Sequence, residues 1–148
     1  MFSKFWPMAT AAVLLACADP LNGVVDNRLT EVLASESAPE RSLSEWVGGP
    51  DIETVCFLDE YTAARHSLRY WASREYVPDD LVLDGFDGDV PEGGLGVLII
   101  RGDRASLALV SMRHLFIPNE CFEPDAMLRR SNESPTSWRI EGDPLDWR

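Results

Sequence analysis

Ser111 and His114 are close enough in the sequence to raise the question of a hydroxyl nucleophile and its base. Such a pair works only when the imidazole reaches the hydroxyl within hydrogen-bond distance. The run that carries Ser111 reads as a β-strand, and on a strand residues three apart point to opposite faces. The pair therefore fails as a catalytic couple. His66, the other histidine, stands beside Arg65 on a predicted helix and reads as a surface or boundary residue. Asp59-Glu60 and Asp79-Asp80 are carboxylate pairs of the kind that general acid–base chemistry uses, but a glycosidase needs its two carboxyls across a cleft, and neighbours in sequence do not supply one. Asp84, Asp87, Asp89 and Glu92 fall in a glycine-rich loop that invites a calcium reading. Their offsets do not match the EF-hand loop, whose glycine and final glutamate fall elsewhere, so no metal is assigned. G-x-S-x-G, the P-loop, the dinucleotide fingerprint and H-E-x-x-H are all missing, so no catalytic residue and no cofactor is assigned.

Arg101-Gly102-Asp103 spells an adhesion tripeptide, but Gly-Asp between two apolar runs is explained more simply as a hairpin turn. That turn places Arg101 directly opposite Arg104. Like charges in that position are mildly unfavourable. The pair forms a small cationic spot, a candidate anion-binding tip for a carboxylate or phosphate.

The N-terminus carries a different kind of chemistry. Lys4 supplies a positive charge, Met8 to Leu15 is apolar apart from Thr10, and the stretch closes on Leu14-Leu15-Ala16-Cys17. An apolar run of this length is too short to span a bilayer. The four-residue stretch resembles the lipobox of bacterial lipoproteins. The resemblance covers only the first 17 residues and implies that residues 1–16 are a signal peptide and that Cys17 is the acylated first residue of the mature protein. It implies no fold. Two or more acyl chains anchor stably where one does not, at about 0.8 kcal/mol per buried methylene. Ala18 is not the aspartate linked to inner-membrane retention in this class, so the resemblance favours the outer membrane, on its periplasmic side. Ala16-Cys17-Ala18 also fits ordinary signal-peptidase cleavage, which would release a soluble chain at Asp19.

An exported chain matures in an oxidising compartment. Once Cys17 is lipidated or cut away, Cys56 and Cys121 are left as a pair, and the expectation is a disulfide. Closing a loop of about 65 residues would stabilise the fold by roughly 4 kcal/mol. The alternative is two separately buried thiols. Two cysteines and two distant histidines lack zinc-ligand spacing.

The formal net charge is −12, with Lys4 the only lysine, and it is one unit more negative without the signal. Such a surface repels nucleic acid and anionic headgroups and favours cationic partners, or serves solubility alone. With no lysine beyond the signal, Schiff-base chemistry is excluded. At 45% hydrophobic residues the chain can bury a core.

The elements that position these residues follow from periodicity. Residues 17–51 are polar and broken by Asn22-Gly23, Pro39 and Gly48-Gly49-Pro50, and they read as a tether with fragments of helix. One fragment is near Asn27–Ala34, and Ser42-x-x-Glu45 is a capping box with room for one turn. The single globular domain, 52–148, begins at Ile52 with a strand to Leu58. Asp59–Tyr76 has helical spacing, with Tyr61, Ala64, Leu68, Trp71 and Ala72 on one face and Arg65, Arg69 and Arg74 opposite. Leu81–Leu83 is a brief strand. Gly96–Arg101 and Arg104–Met112 form a hairpin with a type II′ turn, apolar on both faces and so central in the fold. Pro118 stops its second strand, and Pro124 opens one or two helical turns through Asp125–Arg130. Trp138, Ile140 and Trp147 are docking points in a polar remainder.

The predicted class is α+β: an antiparallel sheet around the hairpin, one main helix packed on it, and a disulfide. An all-β sandwich is the alternative. The expected function is a non-enzymatic envelope lipoprotein, held at the membrane through lipid on Cys17 and binding another envelope protein. The alternatives are an inhibitor or immunity-type lipoprotein against a cationic cell-wall enzyme, and a small hydrolase.

Overall fold

Gly102 has φ +58°, the left-handed region that suits the first central position of a II′ turn. The turn joins β4 (Gly94–Arg101) to β5 (Arg104–Ser111), and the register sets Leu98 opposite Leu107, Ile100 opposite Ala105 and Arg101 opposite Arg104, as the sequence predicts. A Cβ at Gly102 would meet nothing within 4 Å, so any penalty there is conformational rather than steric crowding by neighbours. Gly102→Val is therefore expected to lose about 1–3 kcal/mol through backbone strain. Asp103→Ala should change little. Urea melts of the two variants check the ordering, and a Gly102→Val variant that melts like wild type would remove the turn assignment.

The computed structural model describes residues 27–35, 39–85, 88–111, 115, 117, 119–134 and 137–145. The signal segment, Cys17, Asp87, Met112, His114, Pro118 and Trp147 lie outside the described residues. The hairpin is the middle of a five-stranded sheet ordered β3-β5-β4-β2-β6, in which β2 is Thr54–Leu58, β3 is Val82–Gly85 and β6 is Cys121–Phe122. The neighbours of the hairpin differ in direction: β2 runs antiparallel to β4, whereas β3 runs parallel to β5. The sheet is thus mixed. A second, three-stranded antiparallel sheet joins β1 (Glu40–Ser42), β7 (Met127–Arg130) and β8 (Trp138–Glu141). The class is α+β with the sheets dominating.

Strand alternation sorts the core into two layers. Val55, Phe57, Leu95, Val97, Ile99, Val110 and Phe122 point to one side, and Cys56, Leu58, Leu98, Ile100, Ala105, Leu109 and Cys121 to the other. Every residue of β2 is buried, which fits a strand covered on both faces. Cys56 and Cys121 are directly opposed in β2 and β6 and form the expected disulfide.

The second layer is closed by α3 (Ala64–Ala72), which buries Ala64, Leu68 and Trp71. The helix is shorter than its apolar spacing predicts. Tyr61 has φ +63° and Glu75 φ +62°, and neither conformation continues a right-handed helix. Tyr61 is therefore not on the buried face with Leu68 and Trp71.

The first layer is closed by a part of the chain expected to be tether. Helix α1 (Asn27–Ala34) forms where the spacing of Leu29, Val32 and Leu33 predicts, and α2 (Leu43–Val47) starts at the predicted capping box. There the Glu45 amide donates to Ser42 Oγ at 3.1 Å and the Ser42 amide to the Glu45 carboxylate at 3.0 Å. Yet Leu29, Leu33 and Leu43 are fully buried, with Trp46 and Val47 nearly so. The boundary at Ile52 is corrected accordingly: residues from α1 onward belong to the folded unit. Two indoles hold α1 in place. Trp46 Nε1 donates to the Leu29 carbonyl at 3.1 Å, and Trp138 Nε1 to the Leu33 carbonyl at 2.7 Å. Trp46 also stacks on Phe57 at a centroid distance of 6.4 Å.

The helical turns expected over Asp125–Arg130 are likewise corrected: Met127–Arg130 is a strand. Leu128 is buried while Arg129 is exposed, the alternation of a sheet, and Arg129 pairs across it with Glu40 at 3.1 Å and Glu141 at 3.2 Å. Trp138 docks inward, buried on β8.

Candidate functional site

The hairpin tip does not keep its two guanidinium groups for an outside anion. Arg101 donates through Nε to the Pro50 carbonyl at 3.1 Å and through Nη2 to the Gly48 carbonyl at 2.8 Å. It seats the glycine segment after α2 against the sheet, where a Cβ on Gly49 would come within 3.0 Å of its Nη2. Arg104 forms a two-pronged ion pair with Asp84 of β3, and that hydrogen bond together with the charge raises the Arg104 pKa further. The like-charge opposition is relieved because each arginine turns to a separate acceptor. Gly102-Asp103 is the turn itself.

The other sequence candidates are dispersed. His66 is exposed on α3. Ser111 ends β5 half-buried. Asp79 lies beside α3 and is remote in role from Glu60, whose carboxylate accepts the Gly93 amide at 3.0 Å. Among the described residues no group of three His, Cys, Asp or Glu side chains is placed to hold a metal ion. No helix among them is long and apolar enough to cross a membrane.

The structure does assemble a site around Tyr61. Residues 59–63 run from the end of β2 to the start of α3 and are tied down from two directions. The Tyr61 amide donates to the Val90 carbonyl at 2.6 Å and the Val90 amide returns to the Thr62 carbonyl at 3.0 Å. The Asp59 amide donates to Asn119 Oδ1 at 2.9 Å. Val90 is fully buried, so the clasp rests on the core. On this rigid base Tyr61 takes a left-handed conformation that costs a residue with a Cβ roughly 1–2 kcal/mol. The residue is 65% exposed, the most exposed of the large hydrophobic residues described. Desolvation, the charges of Glu92 and Glu60, and the phenol's hydrogen bond to Glu92 raise its pKa above the ordinary value. Glu92 and Glu60 thus set negative charge beside the phenol.

This arrangement is an aromatic face framed by negative charge on a hydrogen-bonded loop. It suits contact with a cation or a cationic protein surface, through ring–cation attraction and charge pairing. The periodicity of Tyr61 with Ala64 and Leu68 had assigned it to a buried helix face. Nothing local in the sequence marks a tyrosine for left-handed backbone, because the conformation is imposed by the Val90 clasp. No protein family, curated protein or solved structure matches this chain.

Proposed function

We propose that this is a lipid-anchored envelope protein without catalytic activity, whose folded domain binds a cationic protein partner through the Tyr61 corner. The anchor rests on Leu14-Leu15-Ala16-Cys17 and its position after a short apolar run. Partner binding rests on one observation: an aromatic ring held exposed in a conformation that opposes stability. Strain of this kind persists only where the surrounding structure over-determines it, and it concentrates at functional positions. The acidic balance of the chain, −12 overall, favours a cationic partner over any anionic polymer. Inhibition of a cationic cell-wall enzyme is the alternative reading, and the negative charge of Glu60 and Glu92 beside Tyr61 favours it.

Two experiments test the proposal. Metabolic labelling with an alkynyl fatty acid should mark the wild-type chain and leave Cys17→Ser unmarked. An unmodified mature N-terminus at Asp19 in wild type would remove the anchor. For the corner, a photoreactive phenylalanine at position 61 should crosslink one protein in the native envelope, and the same residue at the exposed Asp125 should not. Tyr61→Gly is the decisive companion. Glycine relieves the left-handed strain, so the variant is expected to melt at or near the wild-type midpoint while losing the partner. Retention of the partner by Tyr61→Gly would end the assignment.

A further inference from the structure

A second surface, independent of the Tyr61 corner, lies between α3 and β3. Across residues 64–74 the chain carries Arg65, Arg69 and Arg74 and no carboxylate, a local inversion on a protein of net charge −12. Arg65 and Arg69 are exposed and stand one helical turn apart. They line a cleft of about 140 Å³ together with Leu68, Leu81, Leu83, Pro78 and Asp79. Arg69 has no ion pair among the described residues, unlike Arg104, which pairs with Asp84. Beyond the end of the helix, Arg74 lies 4.9 Å from the ring centre of Tyr70.

The cleft adjoins an unpaired sheet edge. Among the described residues β3 ends its sheet, with β5 on one side and no strand on the other. The Val82 amide donates to the Asp103 carbonyl at 2.8 Å, so Val82 and Asp84 direct their backbone groups toward β5. By strand alternation the N–H and C=O of Leu83 face outward. Val82 is 50% exposed. An open edge of this kind is a template for another strand.

We infer that the α3–β3 cleft takes an extended acidic peptide segment of a partner protein, which adds as a strand to the edge of β3 and places aliphatic and carboxylate side chains against Leu68, Leu81 and Leu83 and under Arg65 and Arg69. The size of the cleft decides against a small-molecule ligand, since such sites run to about 300–1,000 Å³, whereas this one holds a single aliphatic side chain. Main-chain pairing supplies affinity and the alternate side chains supply selectivity, as in other strand-addition complexes. The net negative charge of the chain disfavours the same peptide on its carboxylate-rich surfaces.

The test uses the full chain in detergent micelles and a fluorescein-labelled peptide, Ser-Leu-Ser-Glu-Ser-Leu-Ser-Glu, which presents leucine and glutamate on one strand face. Anisotropy should show saturable binding that weakens with salt. The peptide with lysine in place of glutamate should bind at least tenfold more weakly. The double variant Arg65→Gln/Arg69→Gln, altered only at exposed positions, should melt like wild type and lose at least tenfold in affinity. N-methylation of one alternate set of peptide amides should abolish binding, and methylation of the other set should be tolerated, which reads backbone pairing without touching the protein. Tyr61→Gly should bind the peptide as wild type does, so failure here and failure of the Tyr61 corner are distinguishable. The inference is overturned by no binding up to about 1 mM peptide, by equal binding of the lysine peptide, or by equal effects of the two methylation sets. Self-association of the chain that competes for β3, or binding to phosphatidylglycerol vesicles in place of the peptide, would overturn it as well.

Discussion

Trp46→Ala should unfold the domain more readily than any other single side-chain truncation in the N-terminal segment, by about 3–5 kcal/mol. The indole is 1% exposed, stacks on Phe57 and donates to the Leu29 carbonyl. Truncation leaves a cavity between α2 and the sheet and removes a buried hydrogen bond from α1, so packing and polar terms act in the same direction. Trp46→Phe keeps most of the packing and loses the indole N–H, and is expected to fall between the two. Urea unfolding followed by far-ultraviolet circular dichroism measures the series. A Trp46→Ala midpoint equal to wild type would return residues 27–47 to the status of a tether. The same logic predicts that a chain truncated to begin at Ile52 exposes Phe57, Leu95 and Val97 and aggregates, because α1 and α2 cover that face.

The second large effect belongs to the disulfide. Cys56 and Cys121 close a loop with a sequence separation of 65, and the paired variant Cys56→Ala/Cys121→Ala should lose roughly 4 kcal/mol through the entropy regained by the unfolded chain. Both sulfurs lie in the buried layer under α3, so reduction should require opening of the domain and accelerate steeply in urea. Peptide mapping without reductant should recover the two cysteines joined. Two alkylated thiols after denaturation of unreduced protein would defeat the prediction.

The parts of the fold legible in the sequence are those set by local signals of sufficient length. The hairpin and its register follow from two long apolar runs around Gly102-Asp103, and a one-residue slip would exchange the Leu98 face for the Val97 face. The capping box at Ser42 and the spacing of Leu29 and Leu33 gave α2 and α1 their limits. The role of those helices was not legible, because a short amphipathic segment among breakers looks the same whether its apolar face is covered or not. Its cover comes from β2, β4, β7 and β8, far along the chain. Met127–Arg130 carries too few residues to separate a two-residue period from a helical one, and Pro124 favoured the wrong choice. At the candidate sites the reverse held. Arg101 and Arg104 were found by position, but their acceptors, the Gly48 and Pro50 carbonyls and Asp84, are tertiary. Tyr61 leaves the helix face that its spacing predicts because its backbone is held by Val90, and the neighbourhood of Arg65 and Arg69 with Leu81 and Leu83 is tertiary.

The junction of α1 with β8 has a consequence in time. Leu33 and Trp138 are separated by 105 residues, and β1 likewise waits for β7. At a synthesis rate of about 5–20 residues per second, α1 emerges roughly 5–20 s before the indole that holds it. During that interval its apolar face has no cover from β7 or β8, and long-range pairing of this kind is slow to form in any case. In the nascent chain α1 therefore remains unlocked until β8 has been made. The strand that secures α1 is therefore made long after the helix it secures, and closure of this part of the fold is set by β8 and not by the helix.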